Sequence, residues 1–179
     1  MEEKELEKAL EALLFIGAQP MGLKQLTEIL GVESKIVKSG LEKLRNDYLL
    51  QDRGIKIVEI AGGYQMVTVS EVASYIEKMK KAPSSGNLSA ASLETLAIVA
   101  YKQPLTRAEV ENIRGVKSEK SLATLLEKGL IKELGRKEAI GKPIIYGTTP
   151  FFLQYFGLKD LTDLPLLEES QFLEIKPES

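Results

Sequence analysis

The side chains that carry out most enzyme chemistry are scarce in this sequence. Its 179 residues include no cysteine and no histidine, which removes thiol nucleophiles, imidazole acid–base catalysts and Cys/His zinc sites. Aspartate occurs only at Asp47, Asp52, Asp160 and Asp163, and no two of these form the DxD spacing of a metal site. These absences exclude most ordinary enzyme chemistries, and no cofactor or metal site is expected.

Residues 135–143, GRKEAIGKP, superficially look like a phosphate-binding loop. Five residues separate the two glycines where that loop has four, and Pro143 stands where Ser or Thr would hold Mg²⁺. The segment also joins two predicted strands, so no helix N-terminus would face a phosphate. A hairpin loop is the better interpretation, and nucleotide binding is not expected here.

The stretch YKQPLTRAEVENIRGV (101–116) has the features of a helix-turn-helix. Thr106 and Glu109 have the S/T-x-x-E spacing of a capping box, which predicts the start of a helix. Gly115 is suited to end this helix, and Ser118 is predicted to cap the next one, EKSLATLLEK. That last helix occupies the place of a DNA-recognition helix.

The first half of the chain is predicted to form helices and a hairpin in the same order as the second half. Apolar periodicity predicts helices over 4–16, 23–30 and 35–49. Two β-type runs, 55–60 and 64–69, are joined by Ala-Gly-Gly, which is a hairpin signal, and Ser70 is predicted to cap one more helix. Three helices, a hairpin and a helix make the winged-helix arrangement.

The second half repeats this order after a break rich in Pro, Ser, Gly and Asn. LEALLFIGAQPMGLKQLTEILGV (10–32) aligns with LETLAIVAYKQPLTRAEVENIRGV (93–116), and Thr149 and Pro150 later begin a helix in the favoured cap-then-proline order. We predict a mainly helical α+β fold of two winged-helix domains. These are residues 1–81 and 89–158, joined by a linker at 82–88 and followed by a flexible acidic tail at 159–179.

The charge pattern argues against sequence-specific DNA binding by this chain alone. Lysine and arginine number 24 against 26 acids, and segments 1–87, 88–158 and 159–179 carry net charges of −1, +3 and −4. The recognition-position helix of the second domain has no Arg, Asn or Gln to read base edges, and no segment has the strongly basic surface of a duplex binder. Only a weak contact with the DNA backbone is expected, through Arg136, Lys137 and Lys142.

The helix FFLQYFGL (151–158) has more apolar surface than a small domain can bury. Its four aromatic residues fall within two turns. Phe152 and Phe156 fit a core, whereas Phe151 and Tyr155 are predicted to form an exposed aromatic pair of the kind found at partner sites.

The first helix has a similar surplus. Its apolar stripe comprises Leu6, Leu10, Leu13 and Leu14, and Ala9, Phe15 and Ile16 broaden it. This pattern fits either core packing or self-association. No apolar run approaches the ~18 residues of a membrane span, and the run ALLFIGA is flanked by acids instead of a basic region. A soluble cytoplasmic protein without membrane contact is expected.

These motifs together resemble the segregation and condensation protein B (ScpB) family. The resemblance is carried by LETLAIVAYKQPLTRAEVENIRGV, LLEKGLI and GRKEAIGKPIIYGTTPFFLQYFGL, which cover most of residues 93–158, and by LEALLFIGAQPMGLKQLTEILGV in the first domain. The order and spacing of these segments are more specific than a generic winged helix. Two departures are Lys142, where the family often has Arg, and Asn112, which interrupts what is commonly EIRGV.

The resemblance implies a non-enzymatic adaptor of the bacterial SMC–kleisin complex. ScpB-like proteins form homodimers, largely through the N-terminal domain, and clasp the kleisin ScpA chiefly through the C-terminal domain. ScpA in turn bridges the ATPase heads of SMC. The complex organises and separates chromosomes before division, so the protein is expected in the cytoplasm with the nucleoid, with chromosomal DNA as a mainly indirect partner.

Two surfaces are predicted for this adaptor. The dimer would use Leu6, Leu10, Leu13 and Leu14, and the kleisin would contact Leu122, Leu126, Phe151 and Tyr155. The alternative is a winged-helix DNA-binding transcriptional regulator, which would bind duplex DNA alone with a steep dependence on salt. An enzyme with a carboxylate or hydroxyl site has little support in the sequence.

Overall fold

The chain divides into two compact units in the computed structural model, which describes residues 2–79 and 88–166. The first unit comprises Met1–Ser84 and Gly157–Asp160, and the second comprises Ser85–Phe156 and Leu161–Ser179. Residues 82–87 of the predicted linker and the tail beyond 166 lie outside the described residues. Each unit is a winged helix.

The first unit follows the order predicted from its apolar periodicity. Its elements are α1 (Glu3–Ile16), α2 (Leu23–Leu30), α3 (Ser34–Leu50), β1 (Ile55–Ile60), β2 (Gly63–Thr68) and α4 (Ala73–Met79), with a 3-10 turn at Ser70–Val72 before α4. β1 and β2 pair antiparallel, with Ile55 opposite Thr68 and Ile60 opposite Gly63. The core lies between α1, α2, α3 and the hairpin, and its largest fully buried side chains include Leu10, Leu26, Leu41 and Ile57.

The helices α1 and α3 cross closely because Gly40 lies at their contact. A Cβ atom added to Gly40 would lie 2.9 Å from Leu10 Cδ1 and 3.0 Å from Leu6 Cδ2. Beside this crossing, Lys43 Nζ lies 2.6 Å from a carboxylate oxygen of Glu3 and 2.6 Å from one of Glu7. Gly40, which has no side chain at the crossing, and Lys43, which pairs with two carboxylates of α1, together allow α1 to pack directly on α3.

The turn of the first hairpin is formed by Ala61 and Gly62, both with positive φ (49° and 73°). Their N–H groups donate to the carbonyls of Leu158 and Lys159, at 2.9 and 3.1 Å. Lys159 Nζ also lies 3.2 Å from a carboxylate oxygen of Glu59. These bonds make residues 157–160 part of the first unit.

The second unit repeats the arrangement with one additional strand. Its elements are α5 (Ala90–Lys102), β3 (Leu105–Thr106), α6 (Arg107–Arg114), α7 (Glu119–Glu127), β4 (Ile131–Arg136), β5 (Ile144–Thr148) and α8 (Pro150–Phe156), followed by a 3-10 turn at Leu161–Asp163. The sheet order is β3-β5-β4 with antiparallel pairing. The hairpin loop between β4 and β5 is the segment that superficially looked like a phosphate loop.

Three of the predicted helix caps are confirmed. The Thr106 hydroxyl accepts from the Glu109 N–H at 3.3 Å, and the Glu109 carboxylate accepts from the Thr106 N–H at 2.7 Å. Gly115 ends α6 in the left-handed conformation, with φ 74°. The Thr149 hydroxyl accepts from the Phe152 N–H at 3.1 Å at the start of α8. The capping box and the cap-then-proline start were both readable from local sequence.

Two other predicted caps are wrong. Ser118 occupies the N-cap position of α7, but its hydroxyl makes no capping bond and donates to the Val116 carbonyl at 3.2 Å. The Ser70 hydroxyl donates to the Glu71 carboxylate at 3.2 Å instead of capping a helix. In both cases another acceptor lies within reach of the hydroxyl.

A buried ion pair holds the helix-turn-helix of the second unit together. Arg114 Nε and Nη2 donate to Glu94 Oε2 at 2.9 and 2.6 Å, and Nη1 donates to the Ser118 hydroxyl at 3.0 Å. The Arg114 side chain is only 6 % exposed. It therefore ties α5 to α6 and to the turn before α7. At the position that aligns with Glu94, Glu11 of the first unit accepts from the Tyr48 hydroxyl at 2.5 Å.

Candidate protein-interaction surfaces

Three leucines predicted for the dimer surface are core residues of the first unit. Leu6, Leu10 and Leu14 are 4, 0 and 2 % exposed, and Leu13 is half-buried against the same core. The spacing of four residues places these side chains on the one face of α1 that meets α3. A small three-helix core needs that face, so the structure corrects the assignment of Leu6, Leu10 and Leu14 to a partner-binding surface.

The opposite side of α1 has its own apolar surface. Phe15 and Ile16 are 77 and 80 % exposed, Ala12 is exposed and Ala9 is half-buried. At 100° per residue these four side chains lie on the side of the helix that faces away from α3. We call this set, Ala9, Ala12, Phe15 and Ile16, the outer face of α1.

The end of the second unit exposes three neighbouring aromatic rings. Phe151 and Tyr155 are 47 and 52 % exposed, with ring centroids 6.2 Å apart. Phe152 is buried as expected, but Phe156, also predicted for the core, is 44 % exposed and lies 5.1 Å from the Tyr155 ring. We call Phe151, Tyr155 and Phe156 the aromatic face of α8.

The α7 helix offers less surface than predicted. Leu122 is 2 % exposed and belongs to the core of the second unit, so it is corrected from a contact residue to a core residue. Its neighbour one turn on, Leu126, is half-buried. Leu125, which was not singled out from the sequence, is fully buried, because it shares with Leu122 the side of α7 that meets α5.

Two basic side chains of the second wing, those of Arg136 and Lys137, take part in internal contacts. Lys137 Nζ lies 2.6 Å from Glu109 Oε1, and Arg136 Nη1 donates to the Lys142 carbonyl at 3.0 Å. The bond from Lys137, together with the two from Thr106, lowers the pKa of the Glu109 carboxyl to about 2. Lys137 is therefore compensated within the unit, which leaves the guanidinium of Arg136 and the ammonium of Lys142 as the remaining charges of the predicted DNA contact.

Within 2–79 and 88–166, no group of three or more His, Cys, Asp or Glu side chains could hold a metal ion. One groove in these ranges, of about 390 Å³, lies beside Lys35, Ile36 and Lys43. In the same ranges no helix is long and apolar enough to cross a membrane.

The fold and these surfaces define a tandem winged-helix protein whose units expose apolar helix faces. A family model described as segregation and condensation complex subunit ScpB matches residues 8–167. The segregation and condensation protein B of Clostridium tetani is 49 % identical over 170 residues, which cover 94 % of this chain and 90 % of the relative. The chain therefore belongs to the ScpB family.

Two solved structures are also similar in sequence. ScpB from Mycobacterium tuberculosis is 35 % identical, over 88 % of this chain and 98 % of that chain, with a TM-score of 0.44. A structure described as a dimer of the ScpB N-terminal domain complexed with ScpA peptide is 34 % identical, over 42 % of this chain and 95 % of that chain, with a TM-score of 0.41.

Proposed function

We propose that this chain is a non-enzymatic adaptor subunit of the bacterial SMC–ScpA–ScpB complex, acting in chromosome condensation and segregation during cell division. It works in the cytoplasm, associated with the nucleoid, as a homodimer that binds the kleisin ScpA. The protein is linked to SMC through ScpA, and it associates with chromosomal DNA mainly indirectly. The observation that carries this proposal is the exposed apolar helix face on each unit of an ScpB-family chain. Exposed apolar patches of this kind are typical of protein-binding sites.

The outer face of α1 is the surface proposed for dimerisation. Phe15 and Ile16 supply large apolar side chains, while Ala9 and Ala12 are small enough to let a second helix approach closely. Since the opposite face of α1 is used by the core, changes on the outer face leave the packing of the unit intact. The outer face of α1 therefore replaces the buried leucines that were predicted from the sequence to form the dimer surface.

The aromatic face of α8 is the surface proposed for the kleisin. Its three rings present both apolar area and the Tyr155 hydroxyl, a combination that is enriched at protein interfaces. Leu126 remains a second contact candidate because it is only half-buried. An apolar helix of the kleisin would fit such a surface, since its anchors recur every three or four residues.

The test is light scattering coupled to size-exclusion chromatography, on the protein alone and mixed with its host's ScpA. A dimer that forms a complex of two copies per ScpA is expected. In the variant Phe151→Ala/Tyr155→Ala the dimer should persist and ScpA binding should weaken at least about tenfold, since central aromatic residues dominate interface energies. A monomer that ignores ScpA would overturn the proposal.

The matched control is Leu166→Ala. Leu166 is 99 % exposed and also belongs to the second unit, so this variant removes apolar surface without touching the aromatic face. ScpA affinity should stay within about twofold of the wild-type value. Equal losses in the control and in the Phe151/Tyr155 variant would reject α8 as the binding surface.

A further inference from the structure

The tip of the second wing presents one fully exposed apolar side chain, that of Ile140. This residue is second in a β-turn over 139–142, which is closed by the bond from the Lys142 N–H to the Ala139 carbonyl at 2.9 Å. Gly141 is the third residue, with φ 81°, a conformation that glycine adopts without strain. Turn positions are usually taken by Gly, Pro, Asn, Asp or Ser, so the turn itself does not require isoleucine.

Hydrogen bonds fix this tip relative to α6. The Lys137 N–H donates to the Pro143 carbonyl at 2.8 Å, and Arg136 Nη1 donates to the Lys142 carbonyl at 3.0 Å, so the two strands stay joined up to the turn. Lys137 Nζ lies 2.6 Å from Glu109 Oε1, in the first turn of α6. The apolar tip is therefore held in place before any partner arrives, and binding through it costs little conformational entropy.

Basic residues flank the apolar tip on both strands of the hairpin. Residues 136–142 include three basic side chains, Arg136, Lys137 and Lys142, and a single acid. Arg136 ends β4 and Lys142 precedes β5, so one positive charge stands on each side of the turn. This arrangement suits a ligand whose two edges are negatively charged and whose interior accepts an apolar group.

The minor groove of duplex DNA has both of these properties. Its two borders are rows of phosphates, and the stacked bases between them can be separated by an apolar side chain. Proteins that bind this groove combine Arg or Lys with an inserted Phe, Leu, Ile, Met or Pro, which kinks the duplex. Because the inserted group must unstack a base step, it favours DNA that is already flexible or kinked.

We infer that Ile140 is an apolar wedge that enters the minor groove of duplex DNA while Arg136 and Lys142 contact the phosphates on its two borders. This contact is separate from the proposed adaptor function and depends neither on the dimer nor on ScpA. Contacts to about two phosphates keep the affinity low. The wedge makes the binding selective for the shape of the DNA instead of its base sequence.

The first test compares an intact 20-bp duplex with the same duplex carrying one central nick, by fluorescence anisotropy of the full chain at about 20 mM salt. A nick keeps the sequence and nearly all of the charge but weakens the resistance to kinking. The wild-type protein should bind the nicked duplex at least about fivefold more tightly. For Ile140→Ser the two affinities should differ by less than about twofold, with the intact duplex bound as well as by wild type.

Leu166→Ser is the matched control, because Leu166 is 99 % exposed and lies outside the wing. This variant should keep the wild-type preference for nicked DNA. Arg136→Ala/Lys142→Ala should lose binding to both duplexes, since the wedge alone does not attract phosphate. Both serine variants replace exposed side chains, so their thermal unfolding should match that of wild type.

Three results would overturn the inference. A preference for the nicked duplex that survives in Ile140→Ser would mean that another part of the chain senses DNA shape. No binding of the wild-type protein to either duplex at low salt would mean that the wing does not contact DNA. A loss of ScpA binding in Ile140→Ser, with DNA binding unchanged, would mean that the tip docks on a protein.

A second test uses the fact that the chain has no tryptophan. Ile140→Trp places a single indole at the tip, and stacking of that indole on bases should quench its fluorescence. The nicked duplex should quench the emission, whereas heparin, a polyanion without bases, should not do so at equal occupancy. Leu166→Trp is the control and should respond to neither ligand. Equal quenching of Ile140→Trp by DNA and by heparin would reject insertion between bases.

Discussion

At the scale of single residues, the Arg114–Glu94 pair stabilises the second unit by compensating a buried charge. Arg114 is nearly fully buried, and its guanidinium is bonded to two different partners. Removing one member of a buried pair leaves the other charge without compensation. Because the Glu94 side chain is 23 % exposed, water can relieve part of that cost, and Arg114→Ala should lower the free energy of unfolding by about 2–3 kcal/mol.

Chemical denaturation checks this expectation. Arg107→Ala is the control, because the Arg107 side chain is 53 % exposed and its pairs with Glu111 and Glu119 are long, at 3.9 and 3.3 Å. It should cost less than about 1 kcal/mol. The double change Arg114→Leu/Glu94→Leu should recover part of the loss, since both charges then leave the protein interior. Similar losses for Arg114→Ala and Arg107→Ala would contradict the assigned role.

The Glu109 carboxylate gives the second unit a specific acid sensitivity. Its folded-state pKa of about 2 lies below the ordinary value of 4.5, because Lys137 and Thr106 donate to the ionised form. The contribution to stability is therefore complete above about pH 5 and is lost as the pH falls toward 2. Since the side chain is 42 % exposed, the amount is less than about 1 kcal/mol.

The variant Glu109→Gln isolates this effect, because glutamine keeps the capping geometry and removes the charge. Urea unfolding should find the variant less stable than wild type at pH 7, with a smaller difference at pH 3. Glu138→Gln removes an equal charge from an exposed position of the wing and should show no such convergence. A difference for Glu109→Gln that does not change with pH would disprove the assignment.

At the scale of elements, the first hairpin lies against the segment before α2 through Gly63. A Cβ atom there would lie 2.9 Å from the Met21 carbonyl carbon and 3.0 Å from its oxygen, beside the pairing of Met21 with Tyr64. Backbone atoms cannot yield as a flexible side chain does. Gly63→Ala should therefore destabilise the protein by about 1–3 kcal/mol in thermal or urea unfolding.

Gly54→Ala is the matched control for that change. A Cβ atom at Gly54 meets nothing within 4 Å, and this glycine has no positive φ. Its substitution should be neutral or slightly stabilising, because alanine restricts the unfolded chain. If the two alanine variants unfold alike, the close approach at Gly63 does not limit packing.

Elements were more predictable from this sequence than the faces they present. The capping box at Thr106 and the turn at Ala61–Gly62 depend on neighbours in sequence, so local rules found them. The four-residue spacing of Leu6, Leu10 and Leu14 predicted an apolar helix face. The spacing alone does not determine whether that face packs in the core of its own unit or against a partner. The bond from Arg114 to Glu94 joins residues twenty positions apart, and only the folded unit brings them together.

At the scale of the whole molecule, the charge distribution limits what the chain can do with DNA. The net charge is −2, and Lys137 is already paired with Glu109. At about 150 mM salt the protein alone should show no measurable binding to a 20-bp duplex in fluorescence anisotropy. Any binding at low salt should involve no more than about three phosphates, so log K should fall with log salt with a slope no steeper than about −3.

The pair Arg136→Ala/Lys142→Ala tests where such a residual contact lies. It should abolish the low-salt binding, because phosphate contacts contribute through charge and are independent of base sequence. The control Lys24→Ala/Lys38→Ala removes the same charge from exposed positions of the first unit and should leave the binding within about twofold. Tight binding at 150 mM salt with a steep slope would instead favour a DNA-binding regulator. In that case the aromatic face of α8 and the outer face of α1 would need another explanation.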